Sequence, residues 1–165
     1  MRRYVRLAIL AAILATTASL PARADSLATG SAAFSRGDYN RAALILMPLA
    51  EAGNPRAQGM VGFMYATGRG FPQAYDVAAY WYRLAAEQGD TGAQYLLGLA
   101  YDKGQGVPLD EVAAYKWLNL AAARAPKGMR DNFAKLRNAA ASKMTRGQIA
   151  AGQWYSLRWP ADSPF

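Results

Sequence analysis

The amino-acid sequence predicts an all-α fold, a right-handed α/α solenoid of stacked helix pairs that ends in a capping pair. The first observation is an internal repeat of 36 residues that runs without a gap. The second is the helical spacing of small and apolar residues within each repeat. The third is a stretch rich in glycine and proline in the middle of each unit, which separates one helix from the next.

The repeat is visible as identical residues at a constant shift of 36. The recurring positions cover both helices and the loop between them, and they pair as follows: Ala57 with Ala93, Gln58 with Gln94, Gly62 with Gly98, Tyr65 with Tyr101, Gly68 with Gly104, Gly70 with Gly106, Pro72 with Pro108, Ala78 with Ala114, Trp81 with Trp117, Ala85 with Ala121 and Ala86 with Ala122. A helix pair of this size cannot bury its own apolar face, so the units are expected to stack.

Each repeat is predicted to contain two helices. In the first helix, residues from Ala57 to Tyr65 place small and apolar groups on one side, and Gly62 allows a neighbouring helix to approach closely. In the second helix, Trp81 is a large anchor between small residues. Asp110 is placed to cap the second helix of the later unit, whereas the earlier unit has Ala74 there.

The ends of the chain are predicted to be degenerate copies. A shortened pair spans residues 25–56, with Pro48 expected to kink its second helix. Two full repeats span 57–92 and 93–128, and capping helices span 129–159, followed by a tail at 160–165. Thr145 and Gln148 form the pattern of a capping box at the start of the last helix.

Residues 1–24 are predicted to be an export signal. Three arginines precede an uncharged, largely apolar run from Leu7 to Leu20, and an A-x-A cleavage motif ends at Ala24. This run is shorter than the ~20 residues that span a bilayer. We therefore expect a periplasmic or secreted protein without stable membrane insertion after signal cleavage; an uncleaved anchor is the alternative.

Charge is distributed unevenly along the chain. The net charge is +8 for the whole chain and +4 without residues 1–24. Residues 25–123 carry 7 basic and 9 acidic groups, whereas residues 124–165 carry 8 and 2. A basic C-terminal segment is compatible with an acidic partner, a membrane surface or a solvated helical face. An exported protein is not expected to bind nucleic acid.

Composition excludes several kinds of chemistry. The sequence contains neither cysteine nor histidine. Disulfides, thiolate chemistry, the usual zinc sites and Ser-His-Asp catalysis are therefore absent. We expect no metal site and no cofactor.

The repeat resembles a known family. The segment "AQYLLGLAYDKGQGVPLDEVAAYKWLNLAA" (Ala93–Ala122) is similar to a Sel-1-like repeat, a longer-loop relative of the tetratricopeptide repeat, and residues 57–90 resemble a second copy. The tail "MTRGQIAAGQW" resembles the closing helix of bacterial secreted members. The resemblance implies an α-solenoid that serves as an interaction scaffold.

Three catalytic interpretations are alternatives to this scaffold. The glycine loops at "YATGRGFPQ" and "YDKGQGVPL" complete neither phosphate-binding motif, and both follow helices. The chain contains no S-x-x-K motif for a serine hydrolase. Adjacent Asp110 and Glu111 are formally available for glycoside hydrolysis, although acids beside a helix start are usually caps.

The family resemblance places partner-facing residues on the first helix of each pair, along the concave face. An apolar floor is expected from Phe63, Tyr95 and Leu99. The predicted partner-binding residues are Arg36, Arg56, Phe63, Tyr95, Leu99, Asp102, Lys103, Asp131 and Lys135, with Ser35, Gly59, Ala66, Thr67 and Asn138 beside them. Phe63 and Leu99 also suit the core between repeats, which is the alternative for them.

The leading hypothesis is a non-enzymatic protein-interaction module of the cell envelope, acting as adaptor, assembly factor or regulator. It would bind an apolar peptide segment with an acidic flank. Two alternatives are an envelope hydrolase acting on glycan or peptidoglycan, and a scaffold associated with anionic polysaccharide.

Overall fold

The computed structural model of the chain describes residues 20–159. Most of the predicted export signal, residues 1–19, and the predicted tail, residues 160–165, lie outside the described residues. The end of the predicted signal, residues 20–24, forms the start of the first helix. Within the described residues, no helix combines the length and apolarity that a membrane crossing needs.

The described part of the chain consists of α-helices without strands, as the sequence predicts. The helices are Leu20–Ser35 (α1), Tyr39–Glu51 (α2), Pro55–Thr67 (α3), Tyr75–Glu87 (α4), Thr91–Lys103 (α5), Glu111–Arg124 (α6), Lys127–Ala141 (α7) and Arg146–Leu157 (α8).

Consecutive helices pack against each other from α1 to α7, which produces the stacked order of a solenoid. One apolar cluster joins α1, α2 and α3 around Leu46 and Met64. A second cluster joins α4, α5 and α6 around Leu97 and Trp117. The last helix does not follow this order: α8 packs chiefly against α6 and not against its neighbour in sequence, α7. The all-α solenoid predicted from the repeat is confirmed.

Small residues set the close spacing within each repeat. A Cβ atom added to Gly62 would lie 2.7 Å from Cδ1 of Tyr82, and one added to Gly98 would lie 2.7 Å from Cγ of Leu118. These distances are far below van der Waals contact, so only glycine fits. The predicted close approach of a neighbouring helix at Gly62 is confirmed.

The predicted caps form in the structure. Asp110 accepts a hydrogen bond from the backbone N–H of Ala113 at 2.9 Å, and Ala74 leaves α4 without a side-chain cap. Thr145 and Gln148 form a reciprocal capping box at the start of α8. The helix α2 continues through Pro48 to Glu51.

The glycine loops end the first helix of each full repeat. Gly68 and Gly104 adopt left-handed conformations, with φ of +67° and +65°, at the C-caps of α3 and α5. The loop then returns along the helix, where the N–H of Ala74 donates to the carbonyl of Tyr65 at 3.0 Å. A residue with a side chain is strained in this conformation, so the repeated glycines define where each helix stops.

Candidate binding groove

An apolar groove lies where α1, α3 and α5 adjoin. It encloses about 210 Å³. Its apolar lining consists of the half-buried side chains of Phe34, Met60, Phe63 and Leu96, and Gly59, Gly92 and Ala93 leave the space between them. Arg56 and Asp90 complete the lining. A space of this size accommodates one or two apolar side chains of a ligand.

Contacts across the helices hold the apolar lining in place. The rings of Phe34 and Phe63 meet edge to face, with centroids 5.5 Å apart. Phe34 makes a second edge-to-face contact with Tyr39, also at 5.5 Å. The hydroxyl of Ser31 donates to the sulfur of Met60 at 3.6 Å, which joins α1 to α3. The groove is therefore formed before any ligand binds, which lowers the entropic cost of binding.

The two charged residues of the groove have different roles. Asp90 caps α5, because its Oδ1 accepts a hydrogen bond from the N–H of Ala93 at 2.7 Å. Arg56 is exposed, and no carboxylate of the described residues lies within 4.0 Å of it. An available cation beside an apolar groove favours a ligand that carries an acidic group near its apolar anchor.

The predicted site residues fall into several groups. Arg56, Gly59 and Phe63 line the groove as expected. Ala66, Leu99 and Lys103 line a separate cavity of about 110 Å³ beside Tyr82. The predicted floor of Phe63, Tyr95 and Leu99 is therefore not one surface.

Tyr95 is occupied by packing within the chain. Its ring stacks on that of Phe133 in α7, with centroids 4.4 Å apart and planes 14° apart. This stack connects the second full repeat to the capping helices. Tyr95 consequently has a structural role that competes with the predicted contact to a partner.

The remaining predicted residues lie away from the groove. Asp102 forms an ion pair with Lys143 at 2.9 Å, and this hydrogen bond, together with the negative charge of Asp102, raises the pKa of Lys143. Asp102 thereby connects α5 to the turn between α7 and α8. The other positions are exposed on the surface: Ser35, Arg36, Thr67, Asp131, Lys135 and Asn138.

Sequence reasoning missed Phe34, Met60 and Leu96. Met60 and Leu96 are separated by 36 residues and therefore occupy the same position of the repeat. The repeat therefore could have identified this position. The predicted positions, Gly59 and Tyr95, are also separated by 36 residues, but each lies one residue before the apolar residue that lines the groove. A shift of one residue rotates the assigned face by about 100° around the helix.

The structure gives the adjacent acids Asp110 and Glu111 stabilising roles. Asp110 caps α6, and Oε2 of Glu111 accepts a hydrogen bond from Nε2 of Gln148 at 3.3 Å. No group of three or more acidic residues suited to hold a metal ion occurs in residues 20–159.

Comparisons with known proteins agree with this architecture. The family model described as Sel1 repeat matches residues 55–90 and 91–125. Comparison with the curated proteins gives no match. Sel1 repeats are generally protein-interaction modules, and their fold is typically a non-catalytic scaffold.

Two solved structures are similar to the chain. One is a protective antigen present in uropathogenic Escherichia coli strains that displays an SLR fold; it is 28% identical, with a TM-score of 0.75, over 83% of this chain and 29% of that chain. The other is a Sel1 repeat protein from Oxalobacter formigenes, 35% identical, with a TM-score of 0.58, over 66% of this chain and 44% of that chain.

The chain thus spans less than half the length of either similar protein. The repeat match covers α3 to α6, and the structural similarity extends over most of the described helices. Residues 55–125 are therefore two Sel1 repeats in tandem, set within an all-α solenoid of the Sel1-like repeat fold.

Proposed function

We propose that this protein is a non-enzymatic interaction module of the bacterial cell envelope that binds a peptide segment of an envelope partner. The binding site is the groove lined by Phe34, Met60, Phe63 and Leu96. The module acts as an adaptor, assembly factor or regulator. The observation that carries the proposal is a preformed apolar groove beside Arg56, which forms no ion pair with the described residues, in a fold that generally mediates protein interaction.

The chemistry of the groove describes the segment that fits it. One or two apolar side chains enter the space of about 210 Å³ and contact the rings of Phe34 and Phe63. An acidic residue next to this anchor lies near Arg56. The neighbouring carboxylate of Asp90 disfavours a second acidic group on its own side of the groove.

The location in the envelope is proposed from the predicted export signal. Residues 1–24 fused to a reporter enzyme that is active only outside the cytoplasm test it. We expect reporter activity in the bacterial host, and its loss when the apolar run from Leu7 to Leu20 is interrupted by charged residues. An inactive fusion would contradict export and leave the groove unaffected.

The groove is tested by capture of partners from a cross-linked envelope fraction. Wild type, Phe63→Ser and Leu96→Ser are compared with Leu44→Ser as the matched control. Leu44 lies on α2 with 79% of its surface exposed and outside the groove. We expect both groove variants to lose the band that wild type captures, and the control to retain it.

Folding of each variant is checked by far-ultraviolet circular dichroism and thermal unfolding. This check matters because Phe63 and Leu96 also pack against the second apolar cluster. Retained capture by well-folded groove variants would refute the groove as the binding site. Loss of the same band from Leu44→Ser would refute it equally.

A further inference from the structure

A second concavity, distinct from the groove, lies between α6, α7 and α8. It encloses about 400 Å³, which is within the range of small-ligand sites. Its polar lining consists of Tyr115, Asn119, Arg137, Asn138 and Gln153. None of these residues lines the groove, so this cavity is a separate feature of the molecule.

Arg137 lines this cavity and donates hydrogen bonds to two side-chain amides. Its Nη1 donates to Oδ1 of Asn119 at 3.3 Å. Its Nε and Nη2 donate to Oδ1 of Asn138 at 3.1 and 2.9 Å. A guanidinium has five N–H groups, so one N–H remains on each terminal nitrogen. The orientation of the side chain is therefore set in advance of any ligand.

The cation of Arg137 has no counter-charge in the described part of the chain. The ion pair found there joins Lys143 to Asp102, and no carboxylate lines the cavity. Amide oxygens orient a guanidinium without neutralising it. An arginine held in this way is available for a charge-assisted, two-point hydrogen bond.

The neighbouring groups add donors beside the guanidinium. Both asparagine oxygens bind Arg137, and the N–H₂ groups of Asn119 and Asn138 make no hydrogen bond to another described residue, so they remain available. The hydroxyl of Tyr115 accepts from Nε2 of Gln153 at 3.4 Å, which leaves its own hydrogen to donate. The cavity is therefore complementary to an oxyanion.

Charge distinguishes between classes of oxyanion. Residues 124–159 carry eight basic groups and one acidic group, which attract anions to this end of the molecule. Within the cavity itself there is one cation, Arg137. One positive charge with amide donors matches a singly charged carboxylate better than a phosphate dianion.

We propose that this cavity binds the carboxylate group of a small ligand, of the size of one or two amino-acid residues. Arg137 forms the charged contact, and Asn119 and Asn138 both orient Arg137 and donate to the ligand. The site does not depend on the proposed groove, so the failure of either proposal leaves the other standing.

The test uses the dipeptide acetyl-Ala-Ala with a free carboxylate and its carboxamide twin as probes. Binding to the full-length protein is followed through the side-chain N–H₂ signals of Asn119 and Asn138 by NMR at constant ionic strength. We expect saturable shifts with the acid, with a dissociation constant on the order of millimolar. The carboxamide should produce no saturable shift.

Variants identify the group that binds. Arg137→Gln should abolish binding, and Arg137→Lys, which retains the charge but not the planar fork, should weaken it about 10-fold. Arg158→Gln is the control, because Arg158 is exposed and lies over the ring of Trp154 instead of in the cavity. This control should bind as wild type does, and the backbone spectra should show that every variant is folded.

Three results would overturn the proposal. Equal weakening by Arg158→Gln and Arg137→Gln would mean diffuse attraction by the basic surface. Equal shifts with the carboxamide twin would mean that the carboxylate is not recognised. Inorganic phosphate serves as a third probe. If it bound more tightly than the acid, the site would recognise phosphate and not a carboxylate.

Discussion

The backbone carbonyl of Tyr75 lies directly against the α-carbon of Gly106, so that no Cβ atom fits there. The same contact occurs 36 residues earlier, where a Cβ on Gly70 would lie 2.7 Å from the carbonyl oxygen of Tyr39. Both glycines have positive φ, +74° and +79°. The second glycine of each loop therefore allows that loop to pack against the start of the second helix of the preceding unit.

Replacing Gly106 by alanine should destabilise the protein by about 2–3 kcal/mol, because it combines a strained φ with a collision against backbone. The measurement is the free energy of unfolding from denaturant titration. A loss below about 1 kcal/mol would contradict this role for the loop.

Two other glycines separate the causes of that loss. Gly53 has φ of +88° and open space where a Cβ would lie, so Gly53→Ala measures the conformational strain alone, about 1 kcal/mol. Gly128 lies in α7 with open space around it, so Gly128→Ala should stabilise by about 0.5–1 kcal/mol. Gly106→Ala should lower the free energy of unfolding by more than Gly53→Ala does, whereas Gly128→Ala should raise it.

Ala74→Asp should stabilise the protein by about 1 kcal/mol, because it supplies the missing cap of α4. The backbone at Ala74 (φ −151°, ψ 102°) matches that at Asp110 (φ −148°, ψ 103°), where the carboxylate already caps α6. Thermal unfolding measures the gain. Asp110→Ala is the reciprocal control and should lose a similar amount; a neutral Ala74→Asp beside a harmful Asp110→Ala would mean that the loops differ.

Arg124→Gln should stabilise the protein by about 1 kcal/mol, because the new glutamine supplies a hydrogen-bond donor to the buried side-chain oxygen of Gln94. In the first full repeat, Oε1 of Gln58 accepts from Nε2 of Gln88 at 2.8 Å. The equivalent Oε1 of Gln94 is buried and has no hydrogen-bond partner among the described residues, and Arg124 occupies the position equivalent to Gln88.

Denaturant titration measures this gain, and a double-mutant cycle tests its origin. If the new glutamine reaches the amide oxygen, the gain should disappear when Gln94 is also replaced by Met. If the gain in stability persists in the Gln94→Met background, it comes from a change at the protein surface and not from a hydrogen bond to Gln94.

Stability should fall above pH ~10 in a manner that depends on Tyr82. Burial raises the pKa of Tyr82 above its ordinary value of ~10. Above that pH the unfolded chain releases the phenol proton while the folded chain keeps it, so unfolding becomes more favourable by up to ~1.4 kcal/mol per pH unit. Tyr82→Phe should remove this dependence.

The measurement is the free energy of unfolding between pH 9 and 11 for wild type and two variants. Tyr80→Phe is the matched control, because 58% of Tyr80 is exposed. It should follow wild type throughout the range. Parallel curves for wild type and Tyr82→Phe would show that burial of Tyr82 does not contribute to alkaline unfolding.

Much of the fold was predictable because its determinants are local or repeated. Asp110 and Thr145 each accept a hydrogen bond from the backbone N–H three residues away, so their caps follow from sequence alone. The packing of α8 on α6 is different, because it depends on Gly152 fitting against Tyr115, where a Cβ would lie 2.7 Å from Cδ1. Such a contact between distant positions has no signature in the repeat.

The groove was only partly predictable for the same reason. Arg56 and Phe63 were found from the family frame, but the frame does not specify the rotation between successive helices. That rotation turns Leu96 into the groove and turns its neighbour Tyr95 toward Phe133. The packing of the whole stack decides which residue remains accessible to a ligand. The prediction therefore chose Tyr95, whereas the structure places the next residue, Leu96, in the groove.

The central claim, that the groove between α1, α3 and α5 is where a partner binds, is tested most directly by site-specific photo-cross-linking in the native envelope. A photoreactive amino acid is placed at Met60 in the groove and, separately, at Leu44 on the exposed face of α2. We predict a discrete cross-linked partner from position 60, absent from position 44 and absent when Phe63→Ser is added. The same partner cross-linked from position 44, and none from position 60, would contradict the account.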